Sequence, residues 1–311
     1  MSAHPNRLAR DAADDLVDGV GPDVARDEPS APPPFLGGRV NVPGILINAL
    51  LIAFAITTIF PMLWVLYNSL KSTGEFAQSI FALPSEPTFA AYTNIFERGT
   101  VFTALWNSVF YSVVSTVLIV VLAYSIGYAL ARFEFRGRSL VFSFFVLGLL
   151  LPIPALLVPV FMQYRGIGIL DTQFVLLIPY TAFGLSLAVF LIEGYIRKIP
   201  IELDEAAHVD GASLFTIMFV IVFPICRPII ATVTLLSFLH SWNEFAFATT
   251  LIRDEAYKPI PLWLRTFGGQ YATDYPGLMA GMVIASIPVI VLFLFFREKI
   301  VEGFAGGAVK A

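Results

Sequence analysis

Six stretches of this chain are apolar over about twenty residues or more, the length an α-helix needs to cross roughly 30 Å of hydrocarbon. They run over 45–67, 105–131, 140–162, 174–196, 228–250 and 278–296, each nearly free of charge. Lipid offers no water to an unpaired N–H or C=O, so a segment lying in it must close its hydrogen bonds internally. The expected fold is therefore an all-α polytopic membrane protein with six transmembrane helices. Composition agrees: 57% of residues are hydrophobic and 14% charged, where a soluble domain has about half and about a quarter.

An even number of crossings places both termini on one side. The tail, the turn 132–138, the insert 197–227 and the C-terminus hold 13 of the 19 Lys and Arg residues. Basic residues stay in the cytosol, so these segments and both termini are assigned there. The loops 68–104, 163–173 and 251–277 then face outward. Residues 1–43 are of another kind, with seven acids against four arginines and the run Pro32-Pro33-Pro34. They have too little apolar surface to offset the entropy of ordering, and are expected to be a disordered cytosolic tail. No basic, apolar and small-residue sequence typical of a secretory signal appears in order there.

Between the fourth and fifth spans lies a polar insert, about 197–227. Pro200 near its start, Glu202, Asp204 and Glu205 in the first turns and Gly211 at the end predict a short helix over 201–209. At about 100° per residue, Leu203, Ala206, Ala207 and Asp210 fall on one side and Asp204, Glu205 and His208 on another. A helix this short does not hold its shape alone in water, so something must pack on it. Ser213 is placed to cap a second helix, whose Leu214, Phe215, Met218 and Val222 lead back to the membrane. On these grounds alone the insert is either a docking element for a soluble partner or a loop that joins two spans.

The pattern Glu205-Ala206-Ala207-x-x-Asp210-Gly211-Ala212, with Pro224 and Pro228 downstream, resembles the signature loop of permease subunits of binding-protein-dependent ABC importers. Asn107-Ser108, Trp242-Asn243-Glu244-Phe245 and the ending 303–310 resemble the carbohydrate branch, in particular its second, maltose-type permease subunit. The resemblance runs from about Pro43 to the last residue, and the acidic tail is longer than in such subunits. It implies a permease that pairs with a second, homologous permease, sits on two copies of a cytosolic ABC ATPase and receives sugar from an extracytoplasmic binding protein in a prokaryotic inner membrane. It also implies that Glu205, Ala206, Ala207, Asp210, Gly211 and Ala212 form the coupling helix and hinge that meet the ATPase, and that the segment from Glu302 onward approaches the same partner. The signature loop reports the ATPase and not the cargo, so a polyol or a glycerol phosphodiester is the second cargo reading.

Other residues bear on this reading. No Gly-x-x-x-x-Gly-Lys-Ser/Thr loop is present, so ATP and Mg are expected on the partner chain and no cofactor on this one. Three scattered histidines and the single Cys226 offer no metal cluster. A membrane-embedded enzyme would need catalytic groups clustered at one depth, and a stand-alone channel would have no use for the insert. Intramembrane polar residues are candidates for a substrate path. Trp242, Asn243, Glu244 and Gln163 are the residues so placed, an indole beside amide and carboxylate groups suiting a sugar. The alternative is that Asn243 and Glu244 bond to neighbouring helices, and that Gln163, like Trp64 and Tyr67, anchors at an interface. Glu193 and Arg197 are spaced to pair on one helical face. Prolines at 61, 152, 154, 159, 179 and 288 either break helices that line a moving path or are ordinary membrane-helix prolines.

Overall fold

The computed structural model describes residues 42–269 and 273–308. The acidic tail expected to be disordered lies outside these residues, apart from the two at its end. Thirteen α-helical elements are used below: α1 (Val42–Asn68), α2 (Thr73–Gln78), α3 (Ala90–Glu97), α4 (Thr100–Arg132), α5 (Arg138–Gly148), α6 (Ile153–Ile167) and α7 (Leu177–Ile196). Then come α8 (Glu202–Val209), α9 (Leu214–Ile225), α10 (Arg227–Asn243), α11 (Ala246–Leu251), α12 (Ile260–Trp263) and α13 (Tyr275–Ala308). Among the described residues the only β-pairing is one isolated bridge, Gly268 to Thr273. The chain divides into two units, Met1–Ile56 and Thr57–Ala311. The described part of the first is helix from Val42 onward; the packing and sites below concern the second.

Within that second unit α4 and α7 lie side by side and form the spine, with α10 packed on α4. Close approach is made by glycine: a Cβ on Gly127 would sit 3.2 Å from the backbone N of Glu193, and one on Gly184 would meet Ile119 Cδ1 at 2.3 Å. Small residues at such crossings let membrane helices gain dispersion contacts where no hydrophobic drive operates between them. Ile119, Tyr124, Ile192, Ile196, Val222 and the lone Cys226 fill one core layer. Tyr111, Tyr180, Phe247 and Leu251 fill a second, and Ile95, Val101, Trp263 and Ala280 a third. Large apolar side chains such as Phe144, Leu150 and Phe293 remain exposed, as expected of a surface that faces lipid tails.

The expected spans are met by two kinds of helix. Four helices are long and apolar enough to cross: 46–68 of α1, then α4, α7 and 275–295 of α13. Two more candidates are bent pairs, giving up to six if each pair is one span. The stretch 140–162, expected as one helix, is α5 and α6 meeting at 100° across 149–152. Pro152 and Pro154 give no N–H to a continuing helix, and Pro152 sits in extended backbone at ψ 123° as the cap of α6. Within the unwound turn Leu150 is exposed, while Leu149 and Leu151 also line a cavity of about 260 Å³ with Ser237 and His240. Pro61, Pro159 and Pro288, by contrast, lie inside unbroken helices.

The stretch 228–250, also expected as one helix, ends as α10 at Asn243. Glu244 is in extended backbone at φ −69°, ψ 129°, and a separate α11 follows. At 17 residues α10 spans about 25 Å, short of the hydrocarbon thickness. It meets α9 at 79°, the turn falling at Cys226 with Pro228 opening α10.

Outside the long helices, Glu75 of α2 accepts hydrogen bonds from Ser85 N and from Ser85 Oγ at 2.7 Å. The Ser85 amide is the main cause that lowers its carboxyl below the ordinary value.

Candidate functional site

The polar insert forms α8 one residue shorter than expected, over Glu202–Val209, with Glu202, Asp204 and Glu205 in its first turn where the helix dipole favours anions. Its end is a complete two-bond stop. Ala212 N donates to Ala207 O at 3.0 Å and Gly211 N to His208 O at 3.0 Å, with Gly211 in the left-handed region at φ +83°. This is the pairing that closes helices around a glycine, accompanied by a contact between the flanking apolar residues. Here those flanking residues are Ala207 and Ala212, both packed on the core layer of Tyr124 and Val222. Two alanines of the signature thus have a local reason: they seat the turn on the protein.

The two sides marked out by the spacing do not separate by burial. Leu203, Ala206 and Asp210, on the side of Ala207, are exposed, and so are Glu205 and His208. Asp204, on the side of Glu205 and His208, turns inward. Its carboxylate meets Arg132 at two points, Nε to Oδ2 at 3.0 Å and Nη2 to Oδ1 at 3.2 Å, and accepts from Tyr128 Oη at 2.8 Å. Arg132 Nη1 also donates to Ile199 O at 3.0 Å. The side chains are 6% and 13% exposed, so the pair is largely desolvated. The sequence wheel gives relative angles between residues but not where the rest of the chain lies. An arginine ending an apolar span, and so in need of an acid, was the available signal.

What α8 and α9 leave outward is in large part apolar: Val209 is 86% exposed and Phe215 75%, and Leu203, Ala206 and Leu214 are exposed as well, with the acids Glu205 and Asp210. Ser213 caps α9, accepting from Thr216 N at 3.2 Å. A wide π-turn follows over Ile217–Val222, where an α-helix is the expectation. In an α-helix the Pro224 ring would crowd the carbonyl of Val220; the wider turn moves that carbonyl away, and Tyr124 Oη donates to Met218 O within it. Arg197 and Glu193 pair at the end of α7, as their spacing predicts.

The expected path residues separate into different places. Trp242 and Asn243 line a groove of about 710 Å³ together with Pro61, Leu66, Met282 and Ser286. Trp242 is stacked on Phe238, with ring centres 5.5 Å apart, and Asn243 Nδ2 donates to Leu239 O at 2.9 Å. Glu244 turns into the protein. Its Oε1 accepts from Phe247 N at 2.7 Å and its Oε2 from Ala248 N at 3.2 Å and Tyr180 Oη at 2.9 Å, so it caps α11. Gln163 is exposed on α6 and is not among the residues that line the groove.

At the far end of α4 from Arg132, Asn107 and Ser108 hold the loop that follows α11. Asn107 Nδ2 donates to Ala256 O at 2.8 Å and Lys258 O at 3.2 Å, and Ser108 Oγ accepts from Ile260 N at 2.7 Å. Tyr111 Oη donates to Tyr257 O at 3.1 Å. Asp171, in the left-handed region at φ +53°, receives Asp254 N at 2.9 Å on its carboxylate, with Arg253 N beside it.

Residues 123–304 match the family model described as "Binding-protein-dependent transport system inner membrane component". The chain is 33% identical to the diacetylchitobiose uptake system permease protein NgcG of Streptomyces coelicolor, over 85% of this chain and 88% of that one. It is 34% identical to the trehalose transport system permease protein SugB of Mycobacterium tuberculosis, over 88% of this chain and all of that one. A chain of a bacterial ABC transporter that imports the acidic polysaccharide alginate superposes with a TM-score of 0.73 at 26% identity, covering 85% of this chain and 99% of that one.

Proposed function

The chain belongs to the family of binding-protein-dependent transport-system inner membrane components, and from that premise we propose that it is one permease subunit of an ATP-driven sugar or oligosaccharide importer. The observation that carries the reading is what α8 and α9 leave exposed, apolar Val209 and Phe215 together with the acids Glu205 and Asp210, on an insert whose Ala207, Ala212 and Asp204 are seated on its own protein. The relatives named for trehalose, diacetylchitobiose and alginate support a carbohydrate cargo. In this reading a cytosolic ATPase grips Glu205, Ala206, Asp210 and Val209, while Ala207, Gly211 and Ala212 hold the turn in shape. ATP and Mg bind the ATPase. A second permease completes the path, which includes Trp242 and Asn243, and an extracytoplasmic binding protein delivers the sugar. Both termini and α8 lie in the cytosol, and six crossings are made by α1, α4, α5–α6, α7, α9–α10 with α11, and α13. Two conformations with opposite openings suffice for directional transport when ATP binding favours one of them.

The test uses the whole complex in proteoliposomes. Glu205→Lys reverses a charge on the docking surface, and Gly211→Val forces a β-branched residue into left-handed backbone. Both are expected to leave the permease pair in the membrane, to keep ATP hydrolysis by the ATPase measurable, and to cut sugar uptake per ATP at least about tenfold, a loss of roughly 1.4 kcal/mol of coupling. Normal uptake by both variants would overturn the docking role.

A further inference from the structure

Four polar contacts hold one end of α4 and five the other. At the first end Arg132 and Tyr128 grip Asp204 of α8, and Arg132 also holds Ile199 O. At the other, Asn107, Ser108 and Tyr111 hold the backbone of 256–260, and Trp263 Nε1 donates to Thr100 Oγ1 at 3.0 Å. Between the two ends run 33 residues without a proline, about 50 Å of continuous α-helix. We propose that α4 is a rigid rod linking the two faces of the membrane: Arg132 and Tyr128 fasten α8 to it, and Asn107, Ser108 and Tyr111 fasten the 254–260 loop, so that a displacement at either end is delivered to the other.

The physical case rests on the kind of contact at each end. Apolar contacts such as Ala207 on the core layer let surfaces slide, because their energy changes little over a fraction of an ångström. An ion pair that combines a hydrogen bond, Nη2 to Oδ1, with a charged contact, Nε to Oδ2 at 3.0 Å, fixes the distance between the two helices. This one is mostly withdrawn from water, where charge attraction is stronger and where parting the pair would strand a charge. Displacing α8 therefore moves Arg132 with it more readily than it breaks the pair. The unbroken ladder of α4 then carries the shift, whereas α5–α6 and α9–α10 each have a corner where such a shift would be absorbed. At the far end the loop has no regular pairing of its own over 256–260 except a single 3₁₀ turn, and its carbonyls depend on α4 side chains. Its start at Arg253 and Asp254 is held by Asp171, so a shift of α4 is delivered to 256–260 against that anchor.

The inference rests on the transport reading above and deepens it: the loop at the far end would be where docking of the binding protein is sensed, and linkage requires that what happens outside bias the inside and the reverse. None of these residues touches the substrate or the ATPase; they are positioning residues.

The deciding measurement is the ratio of ATP hydrolysis with and without saturating sugar-loaded binding protein, in the complete complex in lipid nanodiscs. Wild type should show stimulation within the range of roughly 5- to 150-fold usual for coupled sites. Arg132→Met and Asp204→Asn are each expected to bring the ratio to near unity with the unstimulated rate unchanged, and the double variant to be no worse than either, since both remove one link. Arg132→Lys, which keeps the charge but cannot hold Asp204 and Ile199 O with separate guanidinium nitrogens, should retain part of the stimulation. At the other end Asn107→Ala with Ser108→Ala should lower the ratio in the same way, although these positions lie about 35 Å of helix away from Arg132. Stimulation at the wild-type level in Arg132→Met, or in the Asn107/Ser108 variant, would overturn the rod. Should Arg132→Met fail to assemble, the Asn107/Ser108 variant decides alone. A wild-type complex that shows no stimulation at all would instead bring down the transport reading, and the rod with it.

Discussion

The helix α4 and the pair α5–α6 begin from similar material and end as opposites. Both stretches are apolar and of membrane-crossing length, yet α4 runs unbroken for 33 residues while its neighbour turns through 100°. The difference is local. Pro152 and Pro154 remove two donors within three residues and push the preceding backbone toward extended conformation, whereas α4 has no proline and places its one interior glycine, Gly127, at a helix crossing. Beside the corner lies a cavity that Leu149 and Leu151 share with Ser237 and His240. Continuity transmits motion, and corners allow it to differ on the two sides.

The comparison breaks most decisively if α4 accepts a corner of its own. Val121 is exposed in its middle, so Val121→Pro changes the backbone with little loss of packing. It is expected to cost about 3 kcal/mol, read as a fall in thermal stability of the detergent-solubilised complex. Stimulation by binding protein should vanish with it; a variant of normal stability would show that continuity of α4 is dispensable.

Next in size is the seam between α4 and α7. Gly127→Val puts atoms against Ile192 Cγ2 and the Glu193 backbone, already 3.0 and 3.2 Å from where a Cβ would lie. Backbone cannot step aside as a flexible side chain can, and about 1–3 kcal/mol of destabilisation is expected in the same assay.

The break after α10 is held by a side chain, which gives a third test. Glu244→Ala strands Phe247 N, Ala248 N and Tyr180 Oη, at roughly 1–3 kcal/mol. Glu244→Gln keeps an acceptor and should recover part of that loss. Equal stability of the alanine and glutamine variants would mean that the break owes nothing to this carboxylate.

Removing the cause of the α5–α6 corner should have a smaller effect on stability, below about 1 kcal/mol, but a visible one on shape. Spin labels at the exposed Ser143 and Gln163 should move apart in a Pro152→Ala, Pro154→Ala protein, because the restored amides can rejoin the ladder. An unchanged distance would assign the corner to tertiary packing, with Gly148 against Ser186 as the first suspect.

The smallest effect lies outside the spans. The Glu75 carboxyl is held below its ordinary value of 4.5 by Ser85, so its grip is fully present above that pH and is lost as pH falls through the lowered value. Hydrogen exchange at the Ser85 amide should show protection from neutral pH down to 4.5 and lose it in stronger acid, and Glu75→Gln should weaken it at neutral pH.

Much of this architecture is readable in the residues. Pro200, the three acids and Gly211 mark α8 to within one residue, because start, charge and stop signals are local. Apolar length locates the four long helices and the two bent pairs for the same reason, but not the corner within each pair. What is not local is not readable. Asp204 is one of three acids in a first turn until Arg132, 72 positions earlier, supplies its partner. Glu244 can be read as a path residue or as a partner of neighbouring helices, and only α11 with its amides, together with Tyr180, decides for the second. The π-turn of α9 depends on Pro224 and Tyr124 together, and neither alone predicts it.

Cys226 lies wholly enclosed where α9 turns into α10. Being the chain's sole thiol, and shut away from water-soluble maleimides, it leaves the natural background silent. A cysteine introduced at Val209 and another at Ser85 would therefore each report, through reaction with a membrane-impermeant reagent on intact cells, which side of the bilayer it occupies.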